Sequence, residues 1–242
     1  MWATVGDMAT APGQNSSGQN SSGQMVTFPS NGHHCEGYLV GSGPGVIVVQ
    51  EWWGLVPHIR DVADRFAAAG FTALAPDLYH GQSSTEPDGA GKLMMALKLD
   101  KAGKDLSGAV DFLQERTGRT KVGVVGYCMG GGLTLTLACQ RPDAVAAAAP
   151  YYGVIPWPDA QPNWDALAAV VEGHYAENDA FASPEAAHAL EADLKARGKR
   201  ATFHVYPGTH HAFFNDERPD VYHEAAATAA WQRTLSLFRS NL

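Results

Sequence analysis

Along most of this chain, β-branched apolar runs alternate with stretches whose apolar residues recur at helical spacing. Gly45–Gln50 reads Gly-Val-Ile-Val-Val-Gln, apolar without a break, the text of a strand buried on both faces. Asp61–Ala69 carries the helical period and stops at Gly70. Thr72–Pro76 is a second strand, followed by a loop over Asp77–Ser84. A helical region extends from about Lys92 to Glu115, with a break expected near Gly103. Val122, Val124 and Val125 form a short buried strand, and Leu133–Ala138 opens a helix. Ala144–Tyr151 is a strand of small residues that leads into a loop with prolines and tryptophans up to Trp164. Ala168–Glu172 and Thr202–Tyr206 are strands, and Pro184–Ala196 and Tyr222–Leu237 are helices. Ahead of all these, Met25–Phe28 and Cys35–Leu39 read as a hairpin. The alternation predicts an α/β fold: a mostly parallel central sheet with helices on both faces.

The length of 242 residues suits one such domain. Residues 1–24 stand apart, with Gly-Gln-Asn-Ser-Ser written twice in tandem at 13–17 and 18–22. This segment offers little to bury and reads as a disordered low-complexity tail, leaving 25–242 as the domain. It has no basic stretch joined to an apolar core, so it is not a secretory signal, and its two Asn-Ser-Ser sequons read as incidental. A formal charge of −8 with no basic stripe argues against a nucleic-acid partner. No apolar run approaches the roughly 20 residues that span a bilayer. With three cysteines, Cys35, Cys128 and Cys139, a disulfide framework is not expected, and a reducing, cytoplasmic setting is. A monomer acting on small molecules, without cofactor or metal, is the expectation. His33-His34-Cys35 has no second ligand pair at zinc-site spacing and reads as surface turn residues.

In a sheet of this kind ligands sit beyond the carboxyl ends of the strands, and four strand ends carry reactive groups. Gly126-Tyr-Cys-Met-Gly130 places Cys128 in a G-x-C-x-G turn between strand and helix. This is the geometry of a nucleophile elbow with a thiol in the serine position. A thiol there also lies at a helix N-terminus, where N–H groups favour its anion. The text after the strand near Val171 brings Asp179, the last strand leads to His210-His211, and Gln50 is followed by Glu51-Trp52-Trp53-Gly54. Nucleophile, Asp, His is the chain order of the α/β-hydrolase triad. Cys128 is therefore expected to attack an ester carbonyl, His211 to move the proton, and Asp179 to hold the imidazole. The backbone N–H groups of Met129 and Trp52 are the expected oxyanion donors. His210 and Glu177 are the weaker alternatives for base and acid, and His174 reads as a strand-end or surface residue. Trp53, Tyr79, His80, Tyr151, Tyr152 and Phe213 are candidates for the pocket wall, with core packing the competing use of the aromatics.

From Met25 onward the text resembles the dienelactone hydrolase family, α/β-hydrolases with a Cys-His-Asp triad. The resemblance rests on Glu51-Trp-Trp-Gly, Ala75-Pro-Asp-Leu-Tyr79, Gly126-Tyr-Cys-Met-Gly-Gly, Tyr151-Tyr-Gly and His211-Ala-Phe-Phe-Asn-Asp. It implies an ester or lactone hydrolase of the carboxymethylenebutenolidase type, and it gives Glu51 a part in activating the thiol. Read without the family, Glu51 is an ion-pair partner at the pocket rim, with Arg60 in reach. One feature departs from the family. The positions matching its two carboxylate-binding arginines fall at about Gly81 and Asn215, with His80 and Arg218 close by. Ester or lactone hydrolysis is thus better supported than dienelactone as the substrate. The alternatives are a thioesterase or other acyl transfer on the same triad, and a non-catalytic binding protein that keeps the fold.

Overall fold

The computed structural model describes residues 23–30, 32–155 and 161–242. The expected tail lies outside these residues except for Gly23 and Gln24, and Gln24 already pairs with Leu39 in the first hairpin. Among the described residues, eight strands form one sheet: β1 (Gln24–Ser30), β2 (His33–Gly41), β3 (Gly45–Val49), β4 (Thr72–Pro76), β5 (Val122–Tyr127), β6 (Val145–Tyr151), β7 (Val170–Asn178) and β8 (Ala201–His210). Their order is β1-β2-β4-β3-β5-β6-β7-β8. β1 and β2 run antiparallel at one edge and the other pairings from β4 to β8 are parallel.

Among the described residues, six α-helices cover the two faces: α1 (Pro57–Ala68), α2 (Pro87–Ala96), α3 (Leu99–Thr117), α4 (Met129–Gln140), α5 (Pro184–Ala196) and α6 (Glu224–Asn241). Leu106, Leu113, Leu135 and Leu194 of α3, α4 and α5 close one core with Ile47, Leu74 and Val124. Ile59 and Phe66 of α1 and Leu235 and Phe238 of α6 close the other with Val46, Val48 and Val125. The unbroken apolar text of β3 and β5 follows from burial on both faces.

Where elements differ from expectation the causes are local. The break in the long helical region falls at Leu97 and Lys98, both extended, and not at Gly103. Gly103 stays inside α3, where a Cβ would meet the Gln140 side chain at 3.1 Å. A lone helical glycine costs only about 1 kcal/mol, which a long packed helix absorbs. Helix α1 begins at Pro57, four residues ahead of Asp61, with the proline in the first turn, where its missing N–H is harmless. β7 and β8 pair on to Asn178 and His210, well beyond the expected Glu172 and Tyr206. Pro207 is compatible with a strand because β8 lies at the sheet edge.

The His33-His34-Cys35 run is not a surface turn. Cys35 is buried in β2, and His33 donates or accepts through Nε2 at 3.0 Å from the buried carboxylate of Asp105 on α3. Asp105 also accepts the Ser30 hydroxyl and contacts His80 Nε2 at 3.0 Å through its second oxygen. This group ties the hairpin, α3 and the loop after β4 together. No cluster of metal-binding side chains occurs among the described residues.

Candidate active site

The turn between β5 and α4 places Cys128 at φ 56° and ψ −119°, outside the regions open to most side chains. Neighbouring glycines make the turn possible. A Cβ at Gly126 would sit 2.2 Å from the Gly130 carbonyl oxygen, and one at Gly130 would sit 2.4 Å from that of Gln50. Among the described residues three other non-glycine residues have positive φ, including Tyr152 after β6 and Ala212 after β8. Tyr152 and Ala212 follow strand ends beside Cys128, and strain gathered in this way marks functional sites.

The His211 ring lies beside the thiol. Its Nδ1 is 2.6 Å from Asp179 Oδ2, and Cys128 is near enough to raise the imidazole pKa. Asp179 Oδ1 accepts the N–H groups of Phe181 at 2.8 Å and Ala182 at 3.0 Å. Both carboxylate oxygens are thereby fixed. Burial alone would raise the Asp179 pKa, but the hydrogen bond and charge of His211, with the two N–H groups, hold it below the ordinary carboxylate value. Burial likewise opposes charge on His211. The hydrogen bond to Asp179 and the interaction with Cys128, with their negative charges, outweigh it and push the imidazole pKa up to about 10. His210 is exposed, and Glu177 accepts the Gly208 N–H at 2.8 Å.

Glu51 is buried and holds no ion pair with Arg60; its Oε2 accepts the Asn215 side-chain amide at 3.2 Å. Burial pushes the Glu51 carboxyl up to about 7, against the charges of His211 and Arg218 and the Asn215 hydrogen bond. Asn215 was legible only as the position of a missing arginine; its amide has a different use, supporting Glu51. Among the described residues, no backbone acceptor takes the N–H of Trp52 or of Met129, the first residue of α4. The helix N-terminus leaves such donors free by construction.

The expected wall residues divide. The Tyr79 hydroxyl is 3.5 Å from Met129 Sδ, and Tyr79 feels the charge of Cys128. A cleft of about 330 Å³ runs from Tyr79 under α2 to Leu93 and Leu97. The Tyr152 ring centroid lies 5.0 Å from that of His211. Trp53 packs edge-on against Trp52 at 4.9 Å, and both are half-buried. Tyr151 and Phe213 lie in the core, while His80 lines the same cleft as Tyr79. Tyr151 is a core residue whose hydroxyl meets Thr234 on α6 at 2.8 Å. Phe213 is buried between Tyr152 and Tyr206. His80 is turned to Asp105, and Arg218 is paired with Asp220 at 3.0 Å, so both groups near the missing arginines are engaged. His174 is buried too, within 3.0 Å of the Tyr206 hydroxyl and of Thr234 Oγ1, and burial holds its pKa well below the ordinary value. Its strand continues past it, which removes the expected surface position.

The parallel sheet with helices on both faces and a strained residue at the β5–α4 turn defines an α/β-hydrolase fold. Residues 36–242 match the Dienelactone hydrolase family, and the chain belongs to that family. "Protein usf" of Aquifex pyrophilus is 38% identical over 232 residues, spanning 90% of this chain and 99% of that one. A protein of Aquifex aeolicus named "Putative carboxymethylenebutenolidase" is 34% identical over 230 residues, with the same two shares. The crystal structure titled "Putative Dienelactone Hydrolase" from Klebsiella pneumoniae superposes with a TM-score of 0.81 at 30% identity, covering 90% of this chain and 98% of that one. Membership supports hydrolysis of an ester or lactone bond. No helix among the described residues is long and apolar enough to cross a membrane.

Proposed function

We propose that the protein cleaves carboxylic esters or lactones by acyl transfer to Cys128. The observation that carries this reading is the His211 ring, held by Asp179 at 2.6 Å while Cys128 sits on the strained turn between β5 and α4. The thiol gives its proton to the imidazole, and the sulfur attacks the carbonyl carbon. The resulting oxyanion faces the N–H groups of Trp52 and Met129. As the tetrahedral species collapses, His211 passes the proton to the departing alkoxide and a thioester remains on Cys128. Water then loses a proton to His211 and attacks the thioester, releasing the acid and restoring the thiol. Asp179 keeps the imidazole in the useful tautomer and stabilises its cation. Glu51, a carboxyl that protonates near neutrality, assists formation of the thiolate.

Turnover of short p-nitrophenyl esters, acyl thioesters and unsaturated lactones tests the reading, with Cys128→Ala as the blank. Ester or lactone hydrolysis that disappears in Cys128→Ala is expected. Hydrolysis that survives the substitution contradicts the proposed nucleophile, and turnover of thioesters alone contradicts the substrate class.

A further inference from the structure

The most exposed aromatic residue among the described residues lies directly beside the proposed base. Phe181 is 82% exposed, and its ring stands edge-on to His211 with centroids 5.6 Å apart. It is not a stray surface side chain. Its own N–H donates to Asp179 Oδ1 at 2.8 Å, so the turn that fixes the carboxylate also fixes where this ring begins. An apolar ring left in water at a fixed place is available for burial by a ligand, and burying aromatic surface is favourable.

The place decides which part of the ligand it meets. His211 hands its proton to the departing oxygen, so the group carried by that oxygen lies on the His211 side of the carbonyl. Tyr79 and the Met129 side chain meet each other at 3.5 Å, whereas the ring partner of Phe181 is His211. We propose that Phe181 is a specificity-determining residue that selects esters whose alcohol portion carries an aromatic or bulky apolar group. This inference rests on the acyl-transfer reading above and names the substrate feature that the site prefers.

The test compares benzyl acetate with ethyl acetate, which share an acyl group and have alcohols of similar acidity, in the full-length protein and in Phe181→Ala, Phe181→Trp and Cys128→Ala. Phe181 is largely solvated, so its replacement leaves the core intact. In the unaltered protein kcat/KM favours the benzyl ester. Phe181→Ala is expected to lower the benzyl-to-ethyl ratio by about five- to tenfold, the size of one aromatic contact, and Phe181→Trp to restore it. The effect belongs to kcat/KM because the alcohol has left before the thioester meets water. An unchanged ratio in Phe181→Ala, with hydrolysis still abolished in Cys128→Ala, overturns the selection and leaves the acyl-transfer reading standing. Full activity in Cys128→Ala, or no hydrolysis of either ester, overturns that reading and the inference with it.

Discussion

Of the histidine–carboxylate groupings among the described residues, two with a buried carboxylate stand in contrast, and the contrast separates chemistry from architecture. In one, His211 meets Asp179 at 2.6 Å; in the other, His33 and His80 each meet Asp105 at 3.0 Å. Both carboxylates are buried and both sets of imidazoles are partly exposed. The difference is what else the ring touches. His211 lies near a thiol on a strained turn at the N-terminus of α4. The rings of His33 and His80 converge on one carboxylate, and His33 also meets the Ser30 hydroxyl, with no accessible nucleophile: the nearby Cys35 is buried and its pKa is raised far above the thiol value, chiefly by burial. A His–Asp pair is therefore a cross-link unless its remaining nitrogen faces a reacting group.

Histidine replacement breaks the contrast most sharply. His211→Ala is expected to lower kcat/KM by about a thousandfold or more, the scale of a lost proton carrier, while His33→Ala lowers it far less; steady-state kinetics on a reactive ester reads both. Comparable losses would erase the distinction. The second effect falls on stability. Asp105→Asn breaks a buried group that receives three partners and is expected to cost about 3 kcal/mol, seen as a lower denaturant midpoint, with a smaller loss of activity per folded molecule than His211→Ala.

A third effect sharpens the contrast through pH. The Glu51 carboxyl is raised from 4.5 to about 7 by burial, so the folded state holds its proton more tightly than the unfolded chain does. Stability from this group is complete below pH 4.5 and is lost as pH rises through about 7. The loss is on the order of 3 kcal/mol. Glu51→Gln should flatten that slope and raise stability at pH 8 while lowering activity. Denaturation at a series of pH values checks both signs, and an unchanged slope would show that Glu51 is ionised without penalty.

How much of this was legible depended on the range of the signal. The β5–α4 turn could be read because its glycines are demanded by contacts within a few residues and by Gln50 just across the sheet. The order of Cys128, Asp179 and His211, each beyond a strand, carried the rest of the candidate site. Asp105 could not be found from periodicity: it shares the buried face of α3 with Ala102, Leu106 and Ala109, and its partners are far away in the chain. Tyr151 and Tyr152 are adjacent and look alike, yet one bonds to Thr234 and the other stands beside His211, because the chain leaves the strand between them with φ 35° at Tyr152. Phe181 carried a signal that was not used, an aromatic two residues after the acid in a turn that has no core to fill.

The most direct test of the account is intact-protein and peptide mass spectrometry of enzyme quenched in acid during turnover of an activated ester. The account predicts an acyl group on the peptide containing Cys128, absent from Cys35 and Cys139 and lost in Cys128→Ala together with activity. An acyl group on another residue, or full turnover by Cys128→Ala, would contradict it.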